Sequence, residues 1–255
     1  MRLLSLLFLC FSSLAHAQPI GTQAKWGQYL LQYADPVDTY PHGVFGEPIE
    51  PTTILDLGEE AYFTAPLEPL PQGYVFEDRL PRFVDMEGDG EPELLTIVTN
   101  PSAGAAVWLW SRNGKVRAKS AFHGRPNRWL NPVLGSADLD GDGNQELAII
   151  RTPHIGAVLE ILDENDGNLD VGGYEPTGIP TNHRFGDPRL ATSYLCQSAD
   201  GRNLILISAT IDSAPETIEI FELGTRRVNL DPKYRLPQGL NSQFDFLALS
   251  RACSS

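Results

Sequence analysis

The chain has 255 residues, with 33 acidic and 19 basic side chains, a formal net charge of -14, and 42% hydrophobic residues. This composition excludes a disordered acidic tail, which would be less apolar, and a membrane bundle, which would carry fewer charges. The 23 glycines and 20 prolines exclude a fold of long helices and favour short strands joined by turns.

Residues 1–17 are typical of a secretory signal peptide. A basic Arg2 precedes an apolar run over residues 3–14, and the small-x-small sequence 15–17 provides a cleavage site. The alternative is an uncleaved anchor, but the run is shorter than the roughly 20 apolar residues that span a bilayer. We therefore expect a secreted or periplasmic mature chain that begins at Gln18 and does not insert into a membrane.

The charge of the mature chain bears on its partners. Loss of Arg2 with the signal peptide makes the balance one unit more negative, and no basic stripe interleaved with aromatic residues follows. Such a surface repels phosphate backbones and anionic lipid heads, so we expect no nucleic-acid partner. Scattered acidic residues would indicate only solubility, but some of these carboxylates are clustered.

Two stretches of the chain, residues 81–100 and 135–154, repeat each other. Four residues of the first recur 53 positions later: Asp85 as Asp138, Asp89 as Asp142, Gly90 as Gly143 and Glu93 as Glu146. Each stretch opens a unit with an acidic loop, an apolar strand, a Pro/Gly turn, a second strand and a tight turn at Asn113-Gly114 or Asp166-Gly167. Asn-Gly and Asp-Gly are typical of β-hairpins, because both turn residues need positive φ.

The rest of the chain contains weaker versions of this unit. Residues 197–224 keep both strands but have only Asp200-Gly201 in place of the acidic loop, and residues 43–67 have strand and turn signals without one. Residues 243–250 form a lone predicted strand. We expect residues 18–40 to join a fold formed by residues 41–255.

Hairpin units that recur about every 50 residues cannot bury both faces alone and must stack on neighbours. The closed solution is a β-propeller. We therefore predict an all-β propeller with four to five blades, in which N- and C-terminal strands share the terminal blade and remove open edges. A β-sandwich does not require an acidic loop at a fixed offset, and the rungs of a β-helix are about half this length.

The acidic loop at residues 138–146 predicts a calcium site. It offers oxygen donors at positions 1, 3, 5, 7 and 9, from the side chains of Asp138, Asp140, Asp142 and Glu146 and the carbonyl of Asn144. Ca²⁺ takes 6 to 8 such ligands in flexible geometry, whereas Mg²⁺ holds its waters and prefers strict octahedral geometry. A dication also relieves the repulsion among four crowded carboxylates.

The earlier loop at residues 85–93 has the same plan, with ligands expected from Asp85, Glu87, Asp89, Glu91 (carbonyl) and Glu93. Glu87 replaces a shorter acid and Pro92 stiffens the exit, so we expect weaker or altered binding and one to two ions in all. An EF-hand would need a glutamate at position 12, where Thr96 and Ile149 stand. A metal-free acidic turn is the remaining alternative, and residues 163–170 are best interpreted that way.

With their trailing strands, the two loops resemble the FG-GAP and VCBS-type repeats of integrin-α-like β-propellers. That resemblance implies a secreted or surface propeller in which each calcium holds a hairpin loop rigid, with the ligands given above. It covers residues 81–224, and residues 43–80 and 225–250 only by extension. Such repeats occur in adhesins, lectins, chaperone-like proteins and some enzymes, so the family does not select a function.

Two cysteines remain in the mature chain, Cys196 and Cys253. In an oxidising compartment two such thiols more often pair than stay free, so we expect a disulfide, with two unpaired thiols as the alternative. A bridge that closes this loop would contribute on the order of 4 kcal/mol on the chain-entropy model.

Catalytic motifs are absent from the sequence: there is no HExxH, GxSxG, phosphate-binding loop or CxxC. The connections before two repeat units carry candidate binding residues, namely Arg128, Trp129, His183 and Arg184. We therefore expect a non-enzymatic calcium-binding module with a protein or glycan partner. The alternative is a hydrolase or lyase that uses acidic residues in the central funnel of the propeller.

Overall fold

The computed structural model describes residues 19–139, 142–172, 183–188, 193–197, 203–209, 217–223, 228–229 and 236–237. Over these residues the chain forms strands and connections and no helix, which confirms the all-β prediction. No described helix could therefore cross a membrane. The predicted signal peptide, the tail strand 243–250, Asp140, Cys253 and the side chain of Cys196 lie outside the description.

The first three strands form a separate antiparallel sheet in the order β1-β2-β3: β1 (Ala24–Trp26), β2 (Tyr29–Val37) and β3 (Glu50–Asp56). This sheet extends across residue 41, where the sequence suggested a change of segment. Tyr29, Leu31 and Tyr33 of β2 are buried while the residues between them are partly exposed. One face of the sheet therefore packs on the rest of the molecule.

The other fourteen strands form one continuous, curled sheet that has the shape of a half-barrel. The first group of strands comprises β4 (Val75–Phe76), β5 (Arg82–Val84), β6 (Glu93–Asn100), β7 (Gly104–Trp110) and β8 (Val116–Ser120). The second comprises β9 (Leu130–Ala137), β10 (Glu146–Arg151), β11 (Val158–Asn165) and β12 (Asn168–Val171). The third comprises β13 (Ser193–Gln197), β14 (Asn203–Ala209), β15 (Thr217–Leu223), β16 (Val228–Asn229) and β17 (Leu236–Pro237).

Within each group all pairs are antiparallel, whereas parallel pairs join the groups. β8 pairs with β12 through Lys119 and Asn168, and β9 pairs with β13 through Leu134 and Tyr194. The hairpin turn between β11 and β12 has positive φ at both central residues, 47° at Asp166 and 81° at Gly167, as the Asp-Gly pair predicts. Each group is thus a meander with four strand positions that meets its neighbour edge to edge. Two short strands share one edge position in the first group, where β4 and β5 both pair with β6, and in the third, where β16 and β17 both pair with β15.

The core lies between the first two groups. Strands β6 and β10 are buried along nearly their whole length, which accounts for their continuous apolar sequences. One cluster combines side chains from both groups with Val44 and Phe45, from the connection between β2 and β3. The groups therefore share a core, and the connection that carries Val44 is held against it.

Candidate functional site

The first acidic loop lies between β5 and β6 and winds around its own carboxylates. Three of them accept backbone N–H groups of the loop: Asp85 from Gly90 at 2.9 Å, Asp89 from Glu91 at 2.8 Å and Glu93 from Met86 at 3.0 Å. Gly90 has φ of 85°, a conformation that glycine adopts without strain. Burial raises the pKa of Glu93, although the N–H of Met86 and the charge of Arg117 oppose this.

The second acidic loop lies between β9 and β10 and repeats this pattern bond for bond. Asp138 accepts from Gly143 at 3.1 Å, Asp142 from Asn144 at 2.8 Å and Glu146 from Leu139 at 2.5 Å. Gly143 has φ of 94°, close to that of its counterpart. The two loops thus share one backbone hydrogen-bond scheme, 53 residues apart.

Two arginines contact the first loop. Arg117 of β8 places Nη1 at 2.7 Å from Glu87 and 2.8 Å from Glu93, and Nε at 2.9 Å from Glu164. Arg112 pairs with Glu91 at 2.5 Å. Guanidinium groups therefore neutralise much of the first loop. The residues 53 positions after these arginines are Asp170 and Asn165, which carry no positive charge.

Within the described part of the chain, no three His, Cys, Asp or Glu side chains are arranged as a ready metal centre. The described residues include the whole first loop, whereas Asp140 of the second loop lies outside them. The second loop provides only oxygen ligands, and its backbone hydrogen bonds already fix the positions of three carboxylates. This donor chemistry fits a hard cation such as Ca²⁺.

A separate cavity of about 290 Å³ opens where four connections meet. Its polar lining comes from His42, Asn127, Arg128, Thr152 and His154, and its apolar lining from Trp129, Ile155 and Phe185. The structure thus brings two of the four predicted binding residues, Arg128 and Trp129, into one wall. His183 lies behind that wall, and Arg184 is exposed outside the lining.

Trp129 is part of the structural wall of the cavity and not an open platform. Its side chain is 1% exposed, and its Nε1 donates to the carbonyl of Glu77 at 2.8 Å. The ring packs edge-on against Phe45 and stacks on His154 at 5.8 Å. Phe185 and Ile155 are 52% and 63% exposed and form an apolar rim.

Two histidines beside the cavity are joined through their rings. Nε2 of His183 lies 2.9 Å from the carbonyl of Asp187, which can only accept, so this Nε2 carries a proton. Nδ1 of His183 lies 2.9 Å from Nε2 of His154. Burial, reinforced by the neighbouring histidines, lowers the pKa of His154 to about 4. His154 is therefore neutral, and its Nδ1 is the ring nitrogen not engaged by His183.

His42 lines the cavity and pairs through Nδ1 with the carboxylate of Glu77, which is fully buried. The other Glu77 oxygen accepts from Oγ1 of Thr99 at 2.6 Å. Burial raises the pKa of Glu77, against the effect of these two partners. The pair joins residues 35 positions apart, so no local spacing in the sequence could have indicated it.

A second buried carboxylate, Glu50, lies near this pair. Burial raises its pKa to about 9, the charge of Glu77 adds to the shift, and Arg79, with Nη1 at 3.9 Å, offsets only part of it. Neither oxygen of Glu50 has a hydrogen-bond partner. Glu50 and Glu77 lie inside the protein and do not line the cavity.

The backbone around the cavity is strained. Asn127 and Thr152 both line it and have φ of 57° and 47°. Positive φ is tolerated by asparagine but is an outlier for a β-branched residue such as threonine. Hydrogen bonds hold Thr152 there, because Ile155 donates its N–H to the Thr152 carbonyl at 2.8 Å and accepts from Oγ1 at 3.0 Å. Strain of this kind concentrates at functional sites.

Comparison with known proteins leaves the family open. No protein-family model and no curated protein sequence matches the chain. Among solved structures the chain is similar to a Bacillus licheniformis rhamnogalacturonan lyase PL11, at 13% identity and a TM-score of 0.35. The match covers 84% of this chain and 53% of that one, so the chain spans about half the length of that structure. A likeness at this level carries no functional argument.

Proposed function

We propose that the protein is a secreted or periplasmic, calcium-stabilised binding module whose cavity contacts a protein or glycan partner. The observation that carries this proposal is the convergence of four separate connections on one cavity with a strained wall and an exposed apolar rim. Binding sites are concave and combine apolar surface with a few fixed polar groups. The sequence has none of the catalytic motifs sought above that would indicate an enzyme.

The proposed architecture is a propeller of four to five blades with FG-GAP/VCBS-type repeats. The three meanders and the parallel pairs at their edges support it, because the corresponding strands of neighbouring blades run in the same direction around a common axis. The sheet formed by β1, β2 and β3 would contribute to the terminal blade together with residues 243–250. The proposed Cys196–Cys253 disulfide would tie the end of the chain to β13.

Calcium is proposed principally for the loop at residues 138–146. Its ligand positions follow the same plan as the first loop, but in the first loop Glu87 replaces a shorter acid and Pro92 stiffens the exit. Arg117 and Arg112 also pair with Glu87, Glu93 and Glu91 of the first loop. We therefore propose one strong site in the second loop and a weaker one in the first.

Calorimetric titration of the metal-free protein with Ca²⁺ tests this assignment. Asp142→Asn should abolish the tighter binding event, because it removes a charged ligand at position 5. Glu87→Gln should leave that event unchanged, since it alters only the first loop. Asp166→Asn is the matched control, because Asn-Gly preserves the positive-φ turn while removing one acid. Tight binding that survives in the Asp142 variant would refute the site.

The alternative function is an enzyme, and one observation favours it: Glu50 and Glu77 are neighbouring carboxylates, outside the acidic loops, whose pKa values are both raised. Such a pair is typical of general acid/base sites. Both are fully buried, however, and the carboxylate of Glu77 is separated from the cavity by His42. We therefore favour the binding module.

A further inference from the structure

The described lining of the cavity is positively charged, although the protein as a whole is acidic. The chain carries a net charge of -14, yet no carboxylate is among the described side chains that line the cavity. Arg128 supplies a permanent positive charge to its wall. The carboxylate of Glu77 lies buried behind His42 and is engaged by His42 and Thr99. An anion entering the cavity therefore meets a cation and no lining carboxylate.

His42 provides a second polar group. Its Nδ1 is engaged by the carboxylate of Glu77, which is fully buried. Nε2 is therefore the ring nitrogen that remains for a ligand. As a donor it would complement a ligand carboxylate beside Arg128.

His154 provides the complementary group. Its Nε2 is engaged by His183, which leaves Nδ1 for a ligand on a residue that lines the cavity. A ligand hydroxyl can either donate to that nitrogen or accept from it. Arg128 and the two histidine nitrogens therefore complement a carboxylate and a hydroxyl on one molecule.

The apolar rim and the volume of the cavity restrict the polarity and the size of the rest of the ligand. Phe185 and Ile155, two of the large hydrophobic side chains that stay exposed, flank the same opening. They offer a surface for an apolar face or ring. A volume of about 290 Å³ is at the small end of ligand sites, so it suits a single ring with its substituents.

We propose that this cavity binds a small hydroxy acid with an apolar face, whose carboxylate contacts Arg128 and His42 and whose hydroxyl contacts His154. The inference rests on the proposed function, because it names the ligand class of the cavity assigned there. Phe185 and Ile155 cover the apolar face.

Three probes test it by calorimetry on the calcium-loaded protein. Mandelate carries the ring, the hydroxyl and the carboxylate; mandelamide lacks only the charge; a poly-glutamate peptide presents carboxylates on a macromolecule. We expect mandelate to bind about tenfold or more tightly than mandelamide, because charge-assisted hydrogen bonds are the strong ones. The peptide should bind more weakly than mandelate.

Substitutions in the cavity lining test whether mandelate binds there. Arg128→Gln should weaken mandelate binding about tenfold or more, and Phe185→Ala should weaken it several-fold. Arg125→Gln removes the same charge from an exposed residue outside the lining and should have no effect. Both Arg128 and Phe185 are at least partly exposed, so these variants should fold, which thermal melting verifies.

The outcomes separate the two proposals. Equal binding of mandelate and mandelamide, with loss in Phe185→Ala, would overturn the carboxylate inference and leave the binding module standing. Tighter binding of the peptide would overturn the small-molecule inference and point to an acidic protein partner. Equal mandelate affinity in the Arg128 and Arg125 variants would overturn the site. If none of the probes binds, the inference fails, while the calcium titration still decides the calcium site separately.

Discussion

Glu50 shows what a single residue contributes to the energetics of this fold. It is fully buried, neither oxygen has a hydrogen-bond partner, and its pKa rises to about 9. Burial is the main cause, and Arg79 at 3.9 Å is too far away to offset it. The folded protein therefore holds a proton on Glu50 at neutral pH that the unfolded chain releases.

This bound proton makes the free energy of unfolding depend on pH. A group whose pKa is raised on folding contributes stability that is fully present below its unfolded pKa of 4.5 and is lost as pH rises to about 9. Glu50→Gln mimics the protonated form, so it should flatten the decline of stability between these values. The expected gain at pH 8 relative to pH 5 is about 1–3 kcal/mol, since one pKa unit corresponds to about 1.4 kcal/mol.

Urea denaturation at the two pH values measures this difference. Glu68→Gln is the control, because Glu68 is exposed and pairs only with the exposed Lys115 at 3.7 Å. It should follow the wild-type pH profile. If the Glu50 variant also follows that profile, Glu50 does not hold a proton in the folded state.

At the scale of elements, Arg117 of β8 joins two of the repeated groups. It contacts Glu87 and Glu93 at the acidic loop of the first group and Glu164 on β11 of the second. This contact lies beside the parallel pairing of β8 with β12, which is short and involves only two residue pairs. The ion pairs therefore reinforce an edge that the backbone joins weakly.

Arg117→Met should destabilise the protein by about 1–2 kcal/mol, because it leaves two partly buried carboxylates, Glu93 and Glu164, and the exposed Glu87 without their shared cation. Lys115→Met removes an exposed partner of Glu68 on the neighbouring turn and should change stability by less than about 0.5 kcal/mol. Thermal melting of the two variants compares them directly. Equal effects would show that the Arg117 network does not hold the groups together.

The strands of the repeated groups could be predicted from sequence, whereas most of the cavity could not. The apolar runs in β6 and β10 and the Asp166-Gly167 turn are local signals, and the structure has strands and a turn there. The pairing of His42 with Glu77 and the strain at Thr152 depend on contacts between distant segments. The connections that carry Arg128 and His183 were identified because they precede repeat units, but their convergence on His42 required the fold.

At the scale of the whole molecule, the excess of acidic residues bears directly on the repeated groups, because clustered carboxylates in their loops repel one another. A chain with 33 acidic and 19 basic residues places carboxylates at the start of two successive groups. In the first group the arginines neutralise them, and we propose that a calcium ion does so in the second. The stability of the shared core between the groups should therefore depend on that ion.

Thermal melting with excess Ca²⁺ and with EDTA tests this claim most directly. A ligand that binds only the folded state at about 100 times its Kd stabilises it by about 2.7 kcal/mol, which for a chain of this size raises the Tm by about 5–10 °C. We predict a shift of that order in the wild type and none in Asp142→Asn. Coincident melting curves of the wild type in calcium and in EDTA would contradict the account.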